Sequence, residues 1–287
     1  MRLAPPASYR ATLDRAGVHE LPVRNTYRDI AREVRRLEPP YYAATRLLAP
    51  ARLQPHILCL YAFAHATDTA ADSGPAAGRP HRFRAWETAV RTALADRRAD
   101  DPRLAALLHT LDRTGLPDAW VGTFMDGMAG DLGYRDFGSE DGFQAYVDRV
   151  SHPLMLLLSG VHPGCRTQEV VRALRDAAEA AQRIDCLSDL ADDVRAGLPC
   201  LPHTGRQLRG QIELAGVALG RARAVLSLLP AEFVPVMTAF LDVHRIQLRA
   251  VERAAPRLTR NTVRTPLMPS LRVLLAARRQ HMEGALS

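Results

Sequence analysis

The stretch Leu60-Tyr61-Ala62-Phe63-Ala64-His65-Ala66-Thr67-Asp68-Thr69-Ala70-Ala71-Asp72 sets the reading of the whole chain. From Ile57 to Asp72 the run is apolar on nearly all sides, which is the pattern of a helix buried in a core. Yet it carries Asp68 and Asp72, and the i,i+4 spacing puts both carboxylates on one helix face. Ionised carboxylates inside an apolar helix are costly unless something cationic meets them. Ser73-Gly74-Pro75 then ends the run. A second acidic helix is expected over 167–196. There Asp185, Asp189 and Asp193 fall four apart, Gln182 sits about one turn before Asp185, and Asp192 points elsewhere.

Working outward, residues 1–24 are punctuated by proline and are expected to be irregular. Asn25 is expected to cap a first helix running towards Leu37, which Pro39-Pro40 ends, and a short helix follows over Tyr41 to Leu48. Further helical patterns cover 81–98, 102–113, 117–131, 140–160, 205–228, 231–254 and 268–283. Ser139 caps one of them, and Gly197-Leu198-Pro199 follows the longest. Ala and Leu dominate, both strong helix formers, and alternating β-branched runs are hard to find. The chain is therefore expected to be all-α. No repeat or low-complexity linker divides it, so a single-domain helical bundle over 25–287 is expected.

The chain carries 38 Lys+Arg against 31 Asp+Glu, and every basic residue other than histidine is arginine. The excess gathers late: Arg245 to Arg279 holds nine arginines and one acid, Glu252. Such a face attracts diphosphate, anionic lipid or nucleic acid, or is simply solvated. A peripheral membrane contact stays open. A nucleic-acid role is set aside, because it leaves the acidic residues of an apolar helix unexplained. The cysteines Cys59, Cys165, Cys186 and Cys200 form no CxxC pair, which argues against a disulfide framework or a zinc site. No signal-peptide pattern and no apolar run long enough to span a membrane is found, so a cytoplasmic protein is expected.

Two acidic helices facing each other would line a cavity with carboxylates. Mg²⁺ suits such a cavity, since it takes hard oxygen ligands and is commonly shared between a few carboxylates and a substrate phosphate. A di-iron site of the ferritin type would need Glu-x-x-His pairs, and none is present.

Four segments in chain order resemble the squalene/phytoene synthase family. They are Tyr41-Tyr42-Ala43-Ala44-Thr45-Arg46-Leu47-Leu48, the Leu60 to Asp72 stretch, Asp126-Gly127-Met128-Ala129-Gly130-Asp131-Leu132, and Gln182 through Pro202. The resemblance implies an all-α isoprenoid-synthase fold with a central cavity walled by the two acidic helices. It implies Asp68, Asp72, Asp189 and Asp193 as Mg²⁺–diphosphate ligands. Tyr61 and Gln182 match cavity positions, and Tyr41, Tyr42, Arg46, Phe63 and Ser188 fall at or beside the substrate-binding segments. The rings of Tyr41, Tyr42 and Phe63 either shield a carbocation or pack the core.

The chain departs from the family pattern at informative places. His65 and Ser188 stand where arginine is usual, Leu198 replaces the arginine of the following turn, Asp185 replaces asparagine, and Pro40 replaces serine. Each lost charge-assisted phosphate contact weakens binding by about 1.5–3 kcal/mol. The expectation is one allylic prenyl diphosphate, not two, with a neutral, aromatic small-molecule acceptor such as an indole or carbazole, as in the squalene-synthase-like carbazole prenyltransferases of secondary metabolism. A base must then take the ring proton. His65, Asp185, Asp148 and His244 are the candidates, with His65 favoured because it lies one turn before Asp68. The alternatives are a head-to-head synthase making squalene, phytoene or presqualene diphosphate, a terpene cyclase, and a non-catalytic basic binding protein.

Overall fold

In the computed structural model, the described residues are 8–132, 139–196, 201 and 205–284. They are helical, with no strand among them. The contacts divide the chain into two compact units, Met1–Leu132 with Leu156–Arg166, and Gly133–Met155 with Thr167–Ser287.

The first unit holds α1 (Tyr9–Arg15), α2 (Leu21–Leu37), α3 (Pro39–Leu48), α4 (Gln54–Asp72), α5 (Arg79–Asp96), α6 (Pro102–Thr114) and α7 (Asp118–Asp131). The all-round apolar helix expected from the sequence is α4, and α1, α2, α3, α5, α6 and α7 all pack against it. Ile57, Leu58, Cys59, Leu60, Ala62, Phe63 and Ala64 are buried along its length. Beside it, Leu13, Val18, Tyr27, Ile30 and Val34 close a core with Ala106 of α6. A polar knot lies inside this core. The Tyr27 hydroxyl meets Thr110 Oγ1 at 2.6 Å, His109 Nδ1 at 3.0 Å and His56 Nδ1 at 3.3 Å.

Two expectations for the N-terminus need correction. The segment 1–24 is not wholly irregular, because Ser8 caps α1 by accepting from the Ala11 amide. Asn25 lies inside α2 rather than at its cap. Pro22 occupies the first turn, where its missing N–H removes no bond and its fixed φ suits helix entry. Pro39 and Pro40 likewise open α3.

The second unit holds α8 (Glu140–Tyr146), a π-helical turn (Val147–Ser151), the start of α9 (His152–Ser159), α10 (Gln168–Ala196), α11 (Gly205–Ala222), α12 (Val234–Ala254) and α13 (Leu267–Gly284). The long α10 packs against α11, α12 and the π turn. Ser139 caps α8 as expected. The single helix expected over 140–160 is interrupted, since the His152 amide reaches back to the Val147 carbonyl. Pro153 supplies the cause: it has no amide and its ring crowds the carbonyl four residues earlier, so the turn widens. The helix expected over 205–228 tightens into a 3₁₀ turn at Arg223–Ser227. The 197–199 break, Cys200 and Pro202 lie outside the described residues. Cys59, Cys165 and Cys186 are free, buried thiols. No described helix is long and apolar enough to cross a membrane.

Candidate functional site

Asp68 and Asp72 occupy the last turns of α4, which ends at Ser73 with no basic residue nearby in the helix. A helix C-terminus already carries partial negative charge, so two carboxylates there are unfavourable until a cation arrives. Both are exposed, while Thr67 and Ala71 face the core. This corrects the picture of carboxylates sealed inside an apolar helix: the helix is buried, and its acidic face emerges at one end. Lost hydration and then the Asp72 charge push the Asp68 carboxyl up, and His65 opposes the rise. His65 lies one turn earlier, half-buried, and makes no hydrogen bond to any described residue.

The aromatic candidates around α4 separate into two groups. Tyr41 and Tyr61 stack with centroids 4.2 Å apart. Burial, Glu38 and Asp68 all raise the Tyr61 hydroxyl, so it stays protonated as a donor. Tyr42 is half-buried against the N-terminal core. Phe63 belongs to the interior, 6.1 Å from both Trp86 and Phe124 between ring centroids, and is not brought to the acidic end. Arg46 is committed within its own unit: it donates to Thr12 Oγ1 at 2.8 Å and to Gln54 Oε1, and its guanidinium lies over the Tyr9 ring.

In the second unit, α10 delivers Asp185, Asp189 and Asp193 towards its C-terminal end, a second place where helix polarity favours a cation. Asp189 is raised to about 6, by lost hydration first and then by the charges of Asp185, Asp193 and Asp192. Crowded carboxylates of this kind form a hard-oxygen donor set suited to Mg²⁺. Among the described residues no three acidic, histidine or cysteine side chains converge closely enough to hold a metal alone. A Mg²⁺ ion here would therefore complete its shell with phosphate oxygens and water, which is its usual habit.

A cleft of about 470 Å³ opens beside these aspartates, lined by Asp185, Ser188, Asp189, Asp192, Arg195 and Gln247, and by residues 262–265. Asp192, expected to point elsewhere, lies on this wall, where it accepts from Thr262 Oγ1 at 2.7 Å and pairs with Arg195. Ser188 is buried. Its hydroxyl donates to the Ile184 carbonyl at 2.7 Å and accepts from Gln247 Nε2, also at 2.7 Å. Gln182 accepts from Ser151 Oγ of the π turn at 2.8 Å, so the widened turn holds the residue one turn before the aspartate row.

Two base candidates are otherwise engaged. Asp148 accepts from Arg175 Nε at 2.7 Å in an ion pair. His244 uses Nδ1 on the Phe240 carbonyl at 2.8 Å and packs on that ring. Neither lines the cleft.

Sequence reasoning missed three features. Gln247 and Arg264 line the cleft from distant sequence, with no local motif to announce them. Arg183 is fully buried, bonded to Glu140, Glu179 and Gln211 and lying 4.0 Å from the Phe143 ring centroid. The i,i+4 pair Glu179–Arg183 was its only legible trace.

Residues 34–279 match the squalene/phytoene synthase family model. The chain belongs to the squalene/phytoene synthase family. Members of this family transfer prenyl groups from prenyl diphosphates. The chain is 28% identical over 199 residues to the "Bifunctional protein CrtB/UppS" of Streptomyces coelicolor, a match covering 68% of this chain and 34% of that protein. The chain thus spans about one third of the length of that curated relative. Among solved structures, squalene synthase HpnC from Alicyclobacillus acidocaldarius superimposes with a TM-score of 0.73 at 20% identity, covering 84% of this chain and 98% of that one. A ligand-bound dehydrosqualene synthase gives 0.77 at 14% identity, covering 95% and 99%. YisP from Bacillus subtilis gives 0.62 at 16% identity, covering 88% and 96%. These likenesses show the all-α isoprenoid-synthase fold.

Proposed function

We propose that this chain ionises one allylic prenyl diphosphate and transfers the prenyl group to a neutral, electron-rich small molecule, such as an indole- or carbazole-like ring. The carrying observation is Ser188. An arginine is expected there, and the serine is instead buried with its hydroxyl committed. Asp185 adds a negative charge to the same cleft wall. Of the two arginines lining the cleft among the described residues, Arg195 pairs with Asp192, while Arg264 makes no hydrogen bond or ion pair to a described residue and its charge acts on Asp192. So few guanidinium groups suit one diphosphate better than two.

Asp68, Asp72, Asp189 and Asp193 are the residues that would hold Mg²⁺, which supplies charge neutralisation for a diphosphate leaving group. Tyr41 and Tyr61 offer ring faces to a developing cation. As the acceptor carbon bonds to the allylic carbon and diphosphate departs, the ring proton passes to His65, whose nitrogens make no hydrogen bond to a described residue; Asp185 is the second candidate. We place this reaction in the cytoplasm and in secondary metabolism.

The head-to-head reading draws support from the names of the similar solved structures, squalene synthase and dehydrosqualene synthase. Incubation with farnesyl or geranylgeranyl diphosphate and Mg²⁺, with and without indole and carbazole, separates the two. Prenylated ring product supports the proposal, whereas a C30 or C40 hydrocarbon or its cyclopropyl diphosphate, formed without acceptor, overturns it.

A further inference from the structure

Ser188 does more than lack a charge. Its carbonyl accepts from the Val263 amide at 2.9 Å, and its hydroxyl accepts from Gln247 Nε2 at 2.7 Å. The same Nε2 also donates to the Val263 carbonyl at 2.8 Å. Three bonds therefore tie α10, α12 and the segment after α12 into one brace, and Thr262 Oγ1 adds a fourth on Asp192. The braced segment carries Arg264 to the cleft edge, exposed and beside the aspartate row. A short serine at 188 is what lets Gln247 and Val263 approach the helix backbone; an arginine there would occupy that space.

Gln247 is only 4% exposed, and its Oε1 has no hydrogen-bond partner among the described residues. A buried acceptor without a donor is destabilising. Leucine would fill nearly the same volume and remove that orphan, but it would leave the Val263 carbonyl without its donor. Both amide hydrogens serve the brace, at the expense of an unpaired oxygen.

We propose that Gln247 is a positioning residue that stations Arg264 to bind the substrate diphosphate, replacing the arginine absent at position 188. This rests on the diphosphate reading above. Arginine fits the role, since its planar fork meets phosphate oxygens in pairs. The amide hydrogens of Gln247 are spent on Ser188 and Val263, so it acts through the 262–265 segment.

Calorimetric titration of the protein with inorganic pyrophosphate in excess Mg²⁺ tests it, using Gln247→Leu, Arg264→Ala and the double variant. The expected result is about tenfold weaker binding for each single variant and no further loss in the double. Thermal melts run alongside should show Gln247→Leu folded, with a single cooperative transition. Unchanged affinity in Gln247→Leu, or losses that multiply in the double variant, overturns the positioning role while leaving the diphosphate reading intact. Absence of pyrophosphate binding by the unaltered protein defeats the diphosphate reading itself, and this role falls with it. Should Gln247→Leu fail to fold, Gln247→Glu keeps the shape and removes the amide donors, and the same two comparisons apply.

Discussion

At the residue scale, the acidic helix ends carry a stability cost that only a ligand removes. Asp72 adds charge where the α4 dipole is already negative, four residues from Asp68. Asp72→Asn should therefore stabilise the metal-free protein by about 0.3–1 kcal/mol. The same change should weaken Mg²⁺-dependent pyrophosphate binding by at least about tenfold. Paired denaturation and titration curves check both signs, and a variant that is neither more stable nor weaker in binding would remove Asp72 from the site. Asp148 behaves differently because it belongs to an ion pair with Arg175. That pair is half-exposed and worth little. Asp148→Asn should leave prenyl transfer within about twofold of the unaltered protein, measured as initial rates with saturating substrates.

At the scale of elements, α10 depends on a buried charge cluster. Arg183 reaches Glu140 on α8, Gln211 on α11 and Glu179 on its own helix, and Glu179 also pairs with Arg175 and Arg221. Without Arg183, Glu140 and the buried Gln211 lose their shared donor, while Glu179 keeps Arg175 and Arg221. Arg183→Met should destabilise the fold by about 1.5–3 kcal/mol, read from the midpoint of a urea transition. Close packing acts similarly after α9. A Cβ on Gly160 would come within 2.6 Å of the Leu156 carbonyl and within 2.5 Å of the Trp120 ring. Gly160→Ala should cost about 1–3 kcal/mol by overpacking, again seen as a lower denaturant midpoint. Helix punctuation by Pro and Ser was legible along most of the chain. The π turn was not: Pro153 is visible in the sequence, but whether the helix breaks, kinks or widens depends on what holds it from both sides.

At the scale of the whole molecule, acid tests the buried polar knot of the first unit. His56 is lowered to about 4 by burial, then by His109 and Arg113. An unfolded histidine titrates near 6.5, so between those values the unfolded chain binds more protons. The stability contributed by neutral His56 is whole above pH 6.5 and is lost as pH falls towards 4, up to about 3 kcal/mol. Urea midpoints of the native chain and of His56→Gln across that window should converge at the acid end; parallel curves would show that His56 is not the group responsible. The sequence by itself determined the all-α class, most helix boundaries and both aspartate rows, because apolar periodicity, prolines and i,i+4 spacing are local geometry. It also identified Ser188 as a departure from the family pattern. Only the tertiary structure decided that Asp68 and Asp72 emerge from a buried helix, that Asp148 is tied to Arg175, that Phe63 is core, and that Ser188 anchors Gln247 and the Arg264 segment. Ser188 and Gln247 lie 59 residues apart. Their bond exists because α10 and α12 pack side by side, and a pairing across helices leaves no periodic mark on the chain that folds to make it.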